Sequence, residues 1–519
     1  MDKTASVNSQ DFEDLQKRDG DTVQDEQATN RPDLFERGAL DPVYQAKAHL
    51  IANAIQEIGM GKYQWGLFIV AGFGWYSDSV WPLMGSLILS PVVNEFQFNS
   101  PFLSLALNIG LLVGAIFWAF GCDIWGRRWS FNLTLLIAGS FGLAAGGTQN
   151  LVALASLFAV VVFGVGGNMP VDSAVFLDFV PGSHQYLLTI LSIWWSVGQL
   201  VASLIAWPLI ANFSCPIGSM SCTRADNMGW RYLLFTLGGM TLLLWAVRFF
   251  VFPLVESPRF LIGCGRDADA VAAVQRVAQF NGRTSSLTVD QLTAAAEKAA
   301  ADDVSGRHSR KVLSQSSAFH VDHVKALFET PKLAWSTSLL IALWGIIGLA
   351  STLYNSFLPF LLANRGAQFG DSSYFITYRN QVIIAVLGVP GAFLAGWAVE
   401  QPYLGRKGTL AISAGLTGVF LFATTTARSS NALLGWNCGY IMYGVLYAIS
   451  PEVFPAKDRG TGNGLVATAT RVFGVIAPVI ALYANLSTAV PVYVSGALII
   501  GSGALALLLP YEPRGRASL

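Results

Sequence analysis

Charge is what this sequence has least of. Of its 519 residues only 12% are Asp, Glu, Lys or Arg, where a soluble chain carries about a quarter. The two signs balance at 32 residues each, a formal net charge of zero, so nothing suggests a nucleic-acid partner. Cysteine is scarce as well. The five cysteines include no pair at metal-ligand spacing, so neither a zinc nor an iron–sulfur site is expected, and no cofactor. The phosphate-cradling pattern Gly-x-x-x-x-Gly-Lys-Ser/Thr is missing, which argues against an ATP-driven pump. No nucleophile–base pair stands out either, so the chain does not read as an enzyme. The amino terminus, "MDKTASVNSQDFEDLQKRDGDTVQDEQ", is polar and acidic rather than a signal peptide. With so little apolar surface to offset the entropy of ordering, it is expected to be a disordered arm.

What is abundant is apolar. Hydrophobic residues make up 53% of the chain, which also holds 51 glycines and 15 tryptophans. A helix crosses the hydrocarbon core with about 20 apolar residues. Twelve segments qualify, near 64–90, 102–121, 129–147, 151–179, 186–211, 230–253, 333–361, 378–399, 408–427, 432–451, 461–484 and 488–510, numbered here as spans 1 to 12. A long polar stretch separates spans 6 and 7. The expected fold is therefore an all-α polytopic membrane protein of two six-helix halves. Its divisions fall at 1–60 (arm), 61–255 (first half), 256–331 (central loop with short helices), 332–511 (second half) and 512–519 (tail).

Lys and Arg favour cytoplasmic loops. Arg127, Arg128, Arg406, Lys407, Lys457 and Arg459 fall in loops of one parity, against Arg224, Arg365 and Arg428 in the other. Both termini and the central loop are thus expected in the cytoplasm, of a monomer in the plasma membrane. The longest outer loop, "ANFSCPIGSMSCTRADNMGW", holds Cys215 and Cys222 and the sequon Asn212-Phe213-Ser214. A disulfide in an oxidising compartment and two free thiols both fit the cysteines. Asn212 is a glycosylation candidate standing close to the bilayer.

The two halves echo each other. After span 2 comes "AFGCDIWGRRWSF", and after span 8 "GWAVEQPYLGRKGTL", each with an acid (Asp123, Glu400) before Gly-Arg-basic (Arg127-Arg128, Arg406-Lys407). Span 4 ends in "FLDFVP" and span 10 in "SPEVFPAKDRGTG", so Asp178 and Glu452 occupy matching places three residues before a proline. Repeated halves are how many secondary transporters are built.

At these residues the chain resembles the major facilitator superfamily, over about residues 60 to 515. "GCDIWGRR" resembles its loop signature between spans 2 and 3. "VESPRFL" and "LPYEPRGR" are similar to motifs of its sugar-porter-like group. "GVGGNMPVDSAVFLDFVP" with "SPEVFPAKDRGTGNGLVATATRVFGVIAP" looks most like the synaptic-vesicle-protein and nicotinate-transporter branch, in a fungal form. Span 7 lacks the glutamine pair of hexose porters, and Asn168 stands where proton–phosphate symporters carry an acid. The resemblance implies alternating access of a small solute, with Asp178 and Glu452 pairing with basic residues of their own half's loop motif to hold a cytoplasmic gate. The partners implied are Arg127 or Arg128 in the first half, and Arg406 with Arg459 in the second. Gln199, in "WWSVGQL", resembles a shared span-5 glutamine.

Helical rise places the remaining polar residues in depth. Asp172, nine residues before Pro181, lies roughly 13 Å from that mouth. A charge at this depth must be neutral, paired, or facing water. Gly164, Asn168 and Asp172 recur every fourth residue, and Pro170 can kink the helix, which suits a cavity wall. A structural hydrogen bond to a neighbouring helix is the other reading. Asp78 lies roughly 20 Å deep in span 1, where related transporters often keep a proton-coupling acid. The alternative is permanent pairing with a base. Arg471, roughly 18 Å into span 11, offers a fork for a substrate carboxylate or simply neutralises Asp78 or Asp172. Tyr354, Asn355 and Tyr447 are further candidate donors to a substrate. The expectation is a proton-coupled secondary transporter of a small organic solute, in which Asp78 and Asp172 share the proton-coupling role and Asp78 is the first choice of the two, with lipid, solute and protons as its partners. A sensor that binds without flux, a facilitator and a drug-exporting antiporter remain as alternatives.

Overall fold

The structure is a computed structural model that describes residues 42–124, 126–184, 187–216, 222–304, 327–328, 330–361, 373–399, 405–427, 459–483 and 490–509. Among these residues every regular element is a helix. Span 1 is Lys62–Leu87, followed by the short helix Leu89–Phe96; spans 2 and 3 are Pro101–Ile124 and Arg127–Gly146. Span 5 is Ile193–Asn212, and span 6 is Gly229–Ala246 extended by a π turn, Val247–Val251. Spans 7, 8, 9, 11 and 12 are Pro331–Asn355, Tyr374–Val399, Gly405–Thr424, Arg459–Tyr483 and Val490–Leu507. Span 10 lies outside the described residues. Eight of the described helices are long and apolar enough to cross a membrane.

Span 2 shows how the sequence sets the packing. Phe102, Ile109, Val113 and Ile116 are 45–51% exposed on one outward face, the face a bilayer covers. On another face Gly110 and Gly114, four residues apart, meet the span 4 backbone at Ala159 and Phe163, where a Cβ would collide. Small residues at this spacing let membrane helices approach closely. Span 1 is the opposite case. Residues from Val70 to Val80 are all buried, so it runs through the interior of the bundle, and any charge on it needs a partner or water.

Span 4 corrects one expectation. It is two helices, Leu151–Val165 and Asn168–Phe179, and the break is at Gly166–Gly167 rather than at Pro170. Gly167 lies against Trp118 and Gly166 against the span 2 backbone at Leu111 and Ala115. Pro170 is the third residue of the second helix, where a missing N–H costs no helical bond. A second correction concerns the arm. Residues 42–58 form a helix whose Ile51, Ala54, Ile55 and Ile58 make one buried stripe. That stripe shares a core with Ala270, Val274 and Val277 of the central-loop helix Asp267–Phe280, and Lys47 pairs with Asp267 at 2.5 Å. Enough apolar surface was present there to offset ordering, and it was hidden among polar neighbours. A disordered arm reaching residue 60 is therefore too long.

Apolar cores locate the junction between the halves. One core, at the central-loop end, contains residues 51–292; another contains residues 327–509. The core that mixes both halves lies at the opposite end, where Leu87, Ile88 and Leu103 meet Leu353, Phe357, Tyr374 and Tyr378. There Tyr378 donates its hydroxyl to the Leu87 carbonyl, and the Tyr374 hydroxyl lies 3.2 Å from Ser90 Oγ and accepts from Asn94 at 3.0 Å. In this conformation the halves are clasped at the end away from the central loop.

Candidate functional site

Two acid–arginine pairs lie deep in the bundle. Asp78 is 1% exposed, enclosed because span 1 is buried all round. Its Oδ1 accepts from Arg471 Nη2 of span 11 at 3.4 Å, and its Oδ2 has no hydrogen-bond partner among the described residues. Arg471 keeps 19% side-chain exposure, so one of the two partners remains reachable. Span 7 packs beside it, with Gly348 against Thr470 and Gly345 against Phe473. This pair bridges the two halves.

The second pair stays within the first half. Asp172 accepts from Arg248 of span 6, and both side chains are fully buried. The Arg248 guanidinium lies over the Phe131 ring of span 3, a cation–π contact that offsets part of its lost hydration. Asp172 and Asn168 press together against Gly74, one turn before Asp78 on span 1, whereas Gly164 turns to Thr134 and Ile137 of span 3. The stripe of three is therefore split by the Gly166–Gly167 break. Asn168 and Asp172 are each 0% exposed, so they form no cavity wall here; the neighbouring helix takes the acid instead. Removing one member of such a buried pair costs about 3–5 kcal/mol, because the other charge is stranded.

At the central-loop end Asp178 forms an ion pair with Arg127, not Arg128, and also accepts from Ser257 Oγ. Glu256 accepts the backbone N–H of Arg127 at 2.9 Å and of Arg128 at 3.3 Å. It thereby supplies a negative charge at the amino end of span 3, which starts after Gly126 with φ +93° and has no side-chain cap of its own. So "VESPRFL" ties three elements together: Glu256 to the start of span 3, and Ser257 to both Asp178 and its own helix at Phe260 N. Its sequence offered no hint of these partners.

The other expected residues are dispersed. Gln199 is half-buried on span 5; Tyr354 is buried and Asn355 half-buried at the end of span 7. Glu400, Tyr447 and Glu452, and the side chains of Asp123, Arg406 and Arg459, lie outside the described residues. Cys215 and Cys222 are disulfide-bonded, with Cα atoms 5.9 Å apart. Asn212 is exposed at the end of span 5, its amide donating to the Pro208 carbonyl at 2.9 Å.

One cluster was not anticipated. Glu95, just past span 1, accepts two bonds from Arg231 at 2.6 and 2.9 Å, and one each from Trp230 (3.0 Å) and Asn227 (2.9 Å). Burial pushes this carboxyl up, but the bonds and the guanidinium charge outweigh it and hold it below its ordinary range.

A polytopic helical bundle with paired halves and ion pairs at mid-depth is a transporter architecture, and comparison with known proteins decides the family. The family model described as Major Facilitator Superfamily matches residues 65–451. The chain belongs to that superfamily. It is 87% identical to "MFS siderochrome iron transporter 1" of Ceriporiopsis subvermispora, over all of both chains. It is 42% identical to "Major facilitator-type transporter hxnZ" of Emericella nidulans, over 92% of this chain and 88% of that one. A more distant relative, 25% identical over 83% of this chain and 89% of its own, is "Niacin transporter NiaP" of Acinetobacter baylyi. The fold is shared with the partially occluded, inward-open xylose transporter XylE from E. coli, at TM-score 0.63 and 15% identity, covering 88% of this chain and 99% of that one. This major facilitator protein is an integral membrane transporter of small molecules, not an enzyme.

Proposed function

We propose that this transporter couples proton movement to passage of a small organic solute that carries a carboxylate, with Asp78 as the proton site and Arg471 as the anion site. The observation that carries the reading is the Asp78–Arg471 pair, deep in the bundle and shared between halves. An incoming carboxylate competes with Asp78 for the same guanidinium fork. Once Arg471 turns to the solute, Asp78 is a buried acid without a counter-charge, and protonation relieves that state. Proton and solute are then loaded together, the halves rock, and release of the solute returns Arg471 to Asp78. Gln199, Tyr354, Asn355 and Tyr447 are the polar groups proposed to orient the solute; Asn168, fully buried against Gly74, is not among them.

In this reading the central loop and both termini face the cytoplasm, and the clasp of Tyr374 and Tyr378 closes the outer mouth of a monomer in the plasma membrane. Asp178–Arg127 belongs to the cytoplasmic gate of the first half, with Glu452, Arg406 and Arg459 in the second, and Asp123 and Glu400 in the flanking loops. Asn212 is the proposed glycosylation site. Niacin is a carboxylate, and the relative bearing its name supports this solute class. A second reading has its own support: the 87% identical relative is named for a siderochrome, so a ferric siderochrome is the rival cargo. Uptake of labelled nicotinate and of a labelled ferric siderochrome, with and without a proton gradient, tests both. Gradient-driven nicotinate uptake supports the proposal; uptake of the siderochrome alone replaces the solute; binding of either without flux would make the protein a sensor.

A further inference from the structure

Arg248 has no place in the scheme above, yet it is among the largest fully buried side chains of the protein. Its Nη2 goes to Asp172, while its Nε and Nη1 have no hydrogen-bond partner among the described residues, nor do Asp172 Oδ2 and either polar atom of Asn168. A pair kept only for stability would satisfy these atoms, since buried polar groups in native proteins nearly always find partners. Arg248 also sits in the π turn, where Phe252 N bonds Val247 O. Such turns are rare and are frequently found at functional sites.

What Arg248 aims at is the neighbourhood of Asp78. Asp172 Oδ2 is the atom lying against Gly74, and Gly74 and Asp78 are one turn apart on the same face of span 1, which brings the carboxylates of Asp172 and Asp78 to neighbouring turns. Any Cβ at position 74 would fall on that carboxylate; glycine here permits the approach.

We infer that Arg248 is a positioning residue that holds Asp172 ionised against span 1, and so makes Asp78 rather than Asp172 the acid that takes the proton. The inference rests on the proton-coupled reading and adds a division of labour to it. Two buried carboxylates within reach of each other do not both stay charged without cost; one of them protonates. Each has one arginine. Arg471 is shared with the solute, is partly exposed, and contacts Asp78 at 3.4 Å. Arg248 is fully buried, and its pair with Asp172 is the closer of the two. When a carboxylate solute engages Arg471, Asp78 loses its counter-charge while Asp172 keeps its own. The fixed negative charge of Asp172 then favours a neutral Asp78.

Among the described residues no other titratable group intrudes. Span 5 (Ile193–Asn212) contains none, span 3 presents Phe131, and Tyr76 of span 1 directs its hydroxyl to Met240 Sδ at 3.4 Å. Among the described residues the groups facing the pair of acids are thus Arg248, Arg471 and each other.

The test reads protonation directly on the full-length purified protein, by the infrared C=O band of a protonated carboxyl followed through a pH titration. Variants are Asp78→Asn and the double variant Asp172→Asn with Arg248→Gln, which removes both charges together and strands neither. The unmodified protein should show a titrating buried carboxyl that disappears in Asp78→Asn. In the double variant the band should persist with its midpoint moved to lower pH by about one unit, because the neighbouring negative charge is gone. A purely structural pair would leave the midpoint where it was, and that result overturns the inference. So does a band that survives Asp78→Asn and vanishes in the double variant, which would place the proton on Asp172. If the unmodified protein shows no titrating carboxyl, the proton-coupled reading falls first and takes this one with it.

Discussion

Asp78 and Arg471 meet across the interface of the two halves, 3.4 Å apart, one wholly buried and the other 19% exposed. Asp172 and Arg248, and Asp178 and Arg127, pair within the first half instead. The difference has a mechanical meaning. A pair inside one rigid half survives rocking of the halves, whereas a pair shared between them must be remade in every cycle. Under the proposed mechanism, charge exchange at Asp78 and Arg471 is therefore tied to the change of access.

The proposed cytoplasmic gate should depend on Arg127. Arg127→Ala leaves Asp178 with the Ser257 hydroxyl as its named side-chain partner and removes the link between the span 3 start and span 4. Solute uptake should fall several-fold while surface expression survives, since Arg127 is half-buried and Asp178 keeps its bond from the Ser257 hydroxyl, so that the lost bond costs about 1–3 kcal/mol. Uptake equal to the unmodified protein in both Arg127→Ala and Asp178→Asn would remove the gate assignment.

Glu95 makes stability depend on pH. Its carboxyl titrates below the ordinary range in the folded state, so the stabilisation is present above the unfolded value and lost as pH falls through the folded one. Thermal unfolding of the purified protein should therefore show a stability loss on acidification that Glu95→Gln abolishes. Arg231→Leu should be worse than either, by about 3–5 kcal/mol, because it strands a buried carboxylate. Identical acid profiles for the unmodified protein and Glu95→Gln would contradict this.

Much of this was legible in the sequence, and the reason is membrane physics. Apolar runs of fixed length reveal spans, and an ionisable residue deep in one is conspicuous, which is how Asp78, Asp172 and Arg471 stood out. Arg127 and Asp178 stood out through a motif repeated in both halves. Arg248 did not. It stands in "LLLWAVRFFVF" near the end of a span, where an arginine ordinarily reaches back to the interface, whereas here it turns inward to Asp172 and the Phe131 ring. Glu95 was passed over for a similar reason, as a loop acid whose partners lie more than a hundred residues away. The break in span 4 looked like a proline kink because Pro170 is visible in sequence, while the packing of Gly166 and Gly167 against span 2 is tertiary.

The outer clasp gives a prediction on conformation. In Tyr374→Phe with Tyr378→Phe, the bonds to Ser90, Asn94 and the Leu87 carbonyl are lost without a change of bulk. In a background with Cys122, Cys264 and Cys438 replaced by Ser, a probe cysteine at Leu353, 0% exposed in the shared core, should become several-fold more reactive to an impermeant maleimide from outside. Unchanged reactivity would mean that apolar packing alone closes that end.

The disulfide should be a local staple. In the same background, Cys215 and Cys222 should label with maleimide on intact cells after reduction and not before. Replacing both with Ser should cost about 2–3 kcal/mol at most for so short a loop, and should leave uptake largely intact. Labelling without reductant would show the pair to be free thiols.

The central claim is that Asp78 carries the coupled proton, and Asp78→Asn tests it most directly, because it keeps the shape and fixes the neutral state. In proteoliposomes loaded with solute on both sides, exchange needs no net proton movement; accumulation against a gradient does. With whichever solute the uptake assay selects, Asp78→Asn should retain exchange and lose accumulation at every pH. Accumulation with an unchanged pH profile in that variant would contradict the account and leave Asp78 as a buried acid paired for stability alone.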